Sequence, residues 1–193
     1  MLHALEENGA LENTWVIITS DHGELFERGI RGHGSPTYHQ GLMKVPLIML
    51  EPGRTTRADI HQPTTAIDLL PTLLHLAGQP IPALLEGQIL PPYNDSPFPS
   101  TRQIFSADAT DPQIAPDRPL SVSSSMLLEY PYKLSYYQGF DELPPDEAVF
   151  ELYNLENDPH ELENIYSPSM SVATRMCEEL LQKVRDNDNR EGR

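Results

Sequence analysis

Cysteine is almost missing from this chain: Cys177 is the only one in 193 residues. A single thiol excludes an internal disulfide framework and a cysteine-based zinc site. Basic residues are also scarce, with 13 Lys and Arg against 29 Asp and Glu and a formal net charge of −16. That balance leaves no cationic surplus to neutralise phosphates, so a nucleic-acid backbone binder is excluded. It equally disfavours docking to an anionic membrane surface. No run approaches the roughly 18 apolar residues that a membrane span takes. The start, Met1-Leu-His-Ala-Leu-Glu-Glu-Asn8, lacks the basic opening and apolar centre of a signal peptide. Aromatic residues make up 7% of the chain and apolar residues 38%, a thin supply for a core at this length.

Proline, by contrast, is plentiful at 19 residues, so loops should occupy much of the chain. Residues Leu2 to Leu11 read as the end of a helix that Asn8-Gly9 stops. The β-branched and aromatic run Thr14-Trp-Val-Ile-Ile-Thr19 is unbroken rather than alternating, which suits a strand covered on both faces in a layered α/β sheet. A second such strand is Val45-Pro-Leu-Ile-Met-Leu50, reached through the glycine-rich loop Gly29 to Gly41. Thr65 or Asp68 can cap a helix over Leu69 to Ala77, with Pro71 in its first turn and Gly78 as its stop. Residues Gln79 to Arg102 read as a proline-rich connector. Strand candidates follow at Gln103–Ala107, Ser121–Glu129, Tyr132–Tyr137 and Val149–Leu155, an antiparallel meander by their turn spacing. A last helix over Met170 to Val184 carries the apolar stripe Val172, Met176, Leu180, Leu181 and Val184, and its tail from Asp186 to Arg193 should fray.

Chemistry concentrates just past the first strand. Asp21 and His22 stand side by side at its C-terminal end, where ligands bind in open α/β sheets. They offer a hard oxygen and a borderline nitrogen to a divalent cation. Gly23 allows a sharp backbone turn there. His33, eleven positions after His22 and held between Gly32 and Gly34, is placed to touch a ligand, with Glu24 as a supporting partner for either histidine. Taken alone, the Asp-His pair reads equally as turn chemistry or a helix cap, His33 as a surface histidine and Glu24 as a solvated acid. Tyr38 and His39 fit a packing role, His75 a core or boundary histidine, His160 turn punctuation, and Cys177 an inert thiol beside the apolar stripe.

Several segments in one order resemble the sulfatase family, within the alkaline phosphatase superfamily. They are Asn13-Thr-Trp-Val-Ile-Ile-Thr-Ser-Asp-His-Gly-Glu24, Phe26-Glu-Arg-Gly-Ile-Arg-Gly-His-Gly34, Lys44-Val-Pro-Leu-Ile48 and Thr65-Ala-Ile-Asp-Leu-Leu-Pro-Thr-Leu-Leu-His-Leu-Ala-Gly78. Tyr132-Lys-Leu-Ser-Tyr-Tyr137 and Glu151-Leu-Tyr-Asn-Leu-Glu-Asn-Asp-Pro-His-Glu-Leu-Glu-Asn164 are similar to its C-terminal subdomain. The resemblance implies an α/β fold: the C-terminal portion of a sulfatase-type sandwich plus a small α+β subdomain, an antiparallel sheet with a C-terminal helix. Residues 1–79 would belong to the catalytic domain, 80–102 to the connector and 103–193 to the subdomain. It further implies Asp21 and His22 as ligands of a divalent cation, calcium with magnesium or manganese as alternatives. His33 would contact sulfate oxygens as a catalytic residue.

One departure matters. Sulfatases carry a Cys- or Ser-x-Pro-x-Arg segment that matures to a formylglycine nucleophile, and this chain has none. Cys177 is followed by Glu178-Glu-Leu, and Ser96-Pro-Phe-Pro-Ser-Thr-Arg102 has similar letters in the wrong order. The expectation is therefore a C-terminal fragment of a sulfuric ester hydrolase, inactive alone, with formylglycine supplied by the missing N-terminal part. The parent's substrate would be a sulfate-ester small molecule or glycan. Alternatives are a phosphodiesterase or phosphonate-ester hydrolase, or a phosphoethanolamine-type transferase, of the same superfamily. A non-catalytic remnant or truncated reading frame is the alternative outside enzymes.

Overall fold

A computed structural model describes residues 2–33, 37–94, 98–99, 101–109, 122–140 and 148–191; Gly34, Ser121 and the last two residues, which figure in the expectations above, lie outside them. The chain divides into two compact units, Met1–Asp59 and Ile60–Arg193. No helix among the described residues is long and apolar enough to cross a membrane.

The first unit opens with helix α1, Leu2–Glu7. Gly9 takes φ +73°, a conformation that glycine adopts without strain, and a 3-10 turn over Ala10–Glu12 follows. Strands β1 (Val16–Thr19) and β2 (Leu47–Leu50) pair antiparallel, with Val16 opposite Leu50 and Thr19 opposite Leu47. The short helix α2, Gln40–Met43, lies between them in sequence and buries Leu42. Apolar as they are, neither strand contains a fully buried residue, and Ile48 is 50% exposed. The expectation of strands covered on both faces is thus not met within this chain. Among the described residues each of the two strands pairs only with the other, so their side chains stay partly in water.

In the second unit a 3-10 turn over Ala66–Asp68 leads into helix α3, Leu69–Leu76. Thr65 and Asp68 form a capping box, the Asp68 carboxylate accepting the Thr65 backbone N–H at 3.0 Å. Gly78, at φ +64°, ends the helix, and the Gln79 N–H returns to the Leu74 carbonyl at 2.8 Å. His75 is exposed on this helix rather than a core or boundary residue. Its neighbours Ile67, Leu70 and Leu73 are also 41–55% exposed, so the apolar composition around it does not mark a buried face. The proline-rich stretch is tied down to α3. Thr72 Oγ1 accepts the Leu90 N–H at 2.8 Å, Asp68 accepts the Gln88 N–H at 2.9 Å, and Arg102 Nη2 donates to both Asp68 carboxylate oxygens at 2.7 and 2.8 Å.

Strands β3 (Gln103–Ala109), β4 (Ser123–Glu129), β5 (Tyr132–Gln138) and β6 (Val149–Asn154) form an antiparallel meander in that order, as their turn spacing leads one to expect. The register aligns Leu127, Leu134 and Leu152 across three strands, and all three are fully buried. Helix α4, Ser171–Glu191, lays Ala173, Met176 and Leu180 on this row, a helical spacing of three and four. Val172, Cys177 and Leu181 pack at the margin. Burial raises the Cys177 pKa, in keeping with an inert thiol. The helix extends past Asp186 to Glu191. Its last turns contain neither Gly nor Pro, and Gln182 bonds Asp186 at 2.8 Å while Arg185 bonds Gln182 at 2.9 Å.

A polar clasp joins the sheet edge to α4. Arg175 donates to Glu129 at 2.6 and 3.1 Å, and Gln103 donates to the same carboxylate at 2.9 Å. The Arg175 bonds are the main reason that the Glu129 carboxyl sits below its ordinary value of 4.5. A lowered folded value means that the clasp stabilises fully above about pH 4.5 and loses its contribution as pH falls through the folded value. Arg175→Ala is expected to cost about 1 kcal/mol at neutral pH, since the arginine is half-exposed and screened. Urea unfolding of parent and variant at neutral and strongly acidic pH checks this, and the difference between them should vanish in acid.

Candidate metal centre

Strand β1 ends at Thr19 and delivers Ser20-Asp21-His22-Gly23 to its C-terminal end. Ser20 Oγ donates to the His22 carbonyl at 2.7 Å, and the His22 N–H donates to Asp21 Oδ1 at 2.9 Å. That second bond is the leading reason that the Asp21 carboxyl lies below the usual carboxylate range, so it is a ready anion. Nδ1 of His22 lies 2.8 Å from the Gly23 carbonyl oxygen. A carbonyl only accepts, so Nδ1 carries the proton and, in the neutral ring, Nε2 keeps its lone pair. The same bond raises the His22 pKa. Nε2 lies 3.8 Å from Asp21 Oδ2.

Gly23 is needed for a different reason from a sharp turn. It takes no left-handed conformation; its N–H donates to the Leu42 carbonyl at 2.8 Å, and a Cβ there would fall 2.0 Å from the Gly41 carbonyl oxygen. Two backbones touch at this point, and Gly41 and Leu42 are the partners that the sequence did not single out. Gly23→Ala must push them apart and is expected to destabilise the first unit by about 1–3 kcal/mol. Thermal melting, together with the chemical shift of the His22 ring, measures both the loss and the displacement.

His33 comes to the site through a short hairpin. Leu25 and Gly32 exchange backbone bonds of 3.1 and 2.9 Å, and the chain reverses at Arg28-Gly29, both at positive φ as a primed turn requires. Glu24 and His33 are the residues flanking that bridge, and His33 Nδ1 lies 2.7 Å from Glu24 Oε1. The His22 and His33 ring centroids are 4.1 Å apart at a 36° tilt. Ligand atoms of His22, Glu24 and His33 all lie within 4.8 Å of one another, and all three residues are exposed. Asp21, the most exposed at 86% of its side chain, stands to one side against His22. Tyr38 and His39 are buried beside α2, in the packing role expected of them.

Comparison with known proteins bears on the family and the fold. The sulfatase family model matches residues 1–79. Arylsulfatase K of cattle, Bos taurus, is 30% identical over 186 residues, covering 92% of this chain and 32% of its own length. The chain thus spans about a third of the curated relatives it matches. Among solved structures, a 2-O GAG sulfatase superposes with a TM-score of 0.72 at 24% identity, covering 98% of this chain and 39% of its own. A phosphonate monoester hydrolase from Silicibacter pomeroyi gives 0.71 at 25% identity, covering 96% of this chain and 37% of its own. On the ordered motifs, the α/β fold and these matches together, the chain belongs to the sulfatase family.

Proposed function

We propose that this chain contributes part of the active site of a metal-dependent sulfuric ester hydrolase. The observation that carries the reading is the turn after β1, which sets the anionic Asp21 carboxylate 3.8 Å from His22 Nε2. Asp21 and His22 hold a hard divalent cation, calcium in the first instance with magnesium or manganese as substitutes. The donor chemistry fits such an ion as a partial set, since calcium takes six to eight oxygen ligands and further ones must come from outside these two side chains. The bound cation supplies charge neutralisation at the ester and activation of a nucleophile. His33, steadied by Glu24, meets a non-bridging or leaving oxygen of the sulfate.

The formylglycine expected of the family finds no precursor in this chain. Cys177 packs against the core beside α4's buried stripe and lacks the Pro and Arg that follow the family's nucleophile. Nucleophile and remaining ligands are therefore assigned to polypeptide beyond these 193 residues, and the chain alone is inactive. Partly exposed β1 and β2 support this, as does the exposed apolar row Ile67, Leu70 and Leu73 on and before α3. On this reading residues 1–79 are the catalytic-domain part, 80–102 the connector and 103–193 the subdomain. The substrate is a sulfate-ester small molecule or glycan, in line with the glycosaminoglycan activity named for one structural relative.

A phosphonate-ester hydrolase is the second reading, favoured by the Silicibacter pomeroyi structure. Manganese titration of the chain, read by the ion's electron paramagnetic resonance signal, tests the ligand assignment. Asp21→Asn should weaken binding by about tenfold or more, as loss of a charged ligand does. Unchanged manganese affinity in this variant would remove Asp21 from the site.

A further inference from the structure

We infer that the hairpin tip carrying Phe26 and Arg31 selects the substrate, taking the ring of a sugar that bears a second anionic group; this rests on His33 as the contact of the first, the sulfate. Residue alternation places both side chains on the site's face. Leu25 and Gly32 exchange both backbone bonds, so Glu24 pairs with His33 on one side of that bridge and Phe26 with Arg31 on the other. The Ile30 N–H donates to the Glu27 carbonyl at 3.0 Å, which closes the turn at Arg28-Gly29 and keeps this register to the tip. Successive side chains of a strand point to opposite faces. Leu25 is 1% exposed, so its face is the inner one. Glu24, Phe26, Arg31 and His33 therefore share the outer face, the one that carries the candidate site.

Phe26 is 81% exposed, although its neighbour Leu25 is buried. It adds nothing to the core, while its flat aromatic face suits the apolar face of a sugar ring. Arg31 is exposed across the rung and has no hydrogen-bond or ion-pair partner among the described residues. The nearby carboxylates are engaged elsewhere. Glu24 lies 2.7 Å from His33 Nδ1, and Glu27, on Leu25's face, lies 3.7 Å from Arg28. An uncommitted guanidinium in a chain of net charge −16 attracts an anion and can hold a carboxylate or sulfate through two parallel N–H bonds. Two residues along a strand advance about 6.8 Å, so the Phe26–Arg31 rung stands that far from the rung of His33. The 2- and 6-substituents of one pyranose ring cover such a span. A singly charged ester would leave Arg31 unused.

The test is a backbone-amide NMR titration of the full 193-residue chain, calcium present, with inorganic sulfate, glucose 6-sulfate and glucosamine 2-N,6-O-disulfate. The disulfate should bind about tenfold more tightly than glucose 6-sulfate, a ratio that one charge-assisted pair supplies. Arg31→Gln should shrink that ratio to about threefold or less, and Arg31→Lys should keep part of it. Phe26→Ala should weaken both sugars by about three- to tenfold relative to inorganic sulfate. Both side chains are exposed, so neither change removes core packing. Equal affinity for the two sugars in the parent, or a tenfold ratio that survives Arg31→Gln, would overturn the subsite. Sulfate binding lost in His33→Ala would then still uphold the sulfate contact. No sulfate binding, or binding unchanged in His33→Ala, would remove that contact and the subsite with it.

Discussion

Glu161→Ala is expected to destabilise the second unit by about 3–5 kcal/mol, the usual cost of stranding one charge of a buried pair. Glu161 and Lys133 form an ion pair in which each side chain is 1% exposed. Lys133 is the second residue of β5, opposite Tyr153 on β6, and its ammonium faces the Tyr153 ring at 5.9 Å. Glu161 comes from the loop after β6, at φ +55°, with its N–H on the Asp158 carbonyl at 3.1 Å. The pair therefore pins that loop across the sheet. Removing the carboxylate takes the Glu161 anion away from an ammonium that stays buried, which costs far more than loss of a surface bridge would. Lys133→Met should be similarly severe. The double variant Lys133→Met/Glu161→Met should be less destabilised than either single change, because no lone charge remains. A double-mutant cycle in urea measures the coupling, and simple addition of the two losses would contradict this account.

Asp68→Ala is expected to cost a comparable 3–5 kcal/mol or so. Asp68 is wholly buried and its carboxylate accepts four bonds from three partners: two from Arg102 Nη2 and one each from the backbone N–H groups of Thr65 and Gln88. Its loss strands a guanidinium that is only 9% exposed and leaves two backbone donors unanswered. Arg102 also lies 3.9 Å over the Phe98 ring and donates to the Pro63 carbonyl, so described residues on both sides of α3 are tied to this one ion pair. Arg102→Lys keeps the charge but loses the separate Nη1 bond to the Pro63 carbonyl and the guanidinium over Phe98, and should fall between parent and Asp68→Ala. Denaturation gives the energies. Limited proteolysis of residues 80–102 should accelerate in the same order, and unchanged cleavage would separate that stretch from Asp68.

These two buried charges show where the sequence was silent. Lys133 sits in Tyr132-Lys-Leu-Ser-Tyr-Tyr137 like any solvent-facing residue of an alternating strand, and Glu161 sits in an acidic turn. Nothing local tells that each cancels the other, because their pairing is a product of the sheet and its following loop. What was legible was local or periodic: the β4–β5–β6 meander from turn spacing, α4 from its stripe, α3 from Thr65, Asp68 and Gly78. The exposure of β1 and β2 follows from the sequence only through their number, since two strands this apolar expect sheet neighbours that the chain does not offer. At the candidate site, Asp21 and His22 stand out by their place after an apolar strand, while their ligand role comes from the family resemblance. The Glu24–His33 bond and the Gly23–Gly41 contact needed the hairpin and α2 in place.

The central claim is that Asp21 and His22 belong to a cation-dependent sulfate-ester site. It is tested most directly on native protein captured with an antibody to the α4 segment, assayed on an aryl sulfate and an aryl phosphonate monoester. Each substrate is presented before and after chelation and again after calcium is restored. The account predicts aryl sulfate turnover exceeding that of the phosphonate, lost on chelation and recovered with calcium. Turnover indifferent to chelation, or confined to the phosphonate, would contradict it.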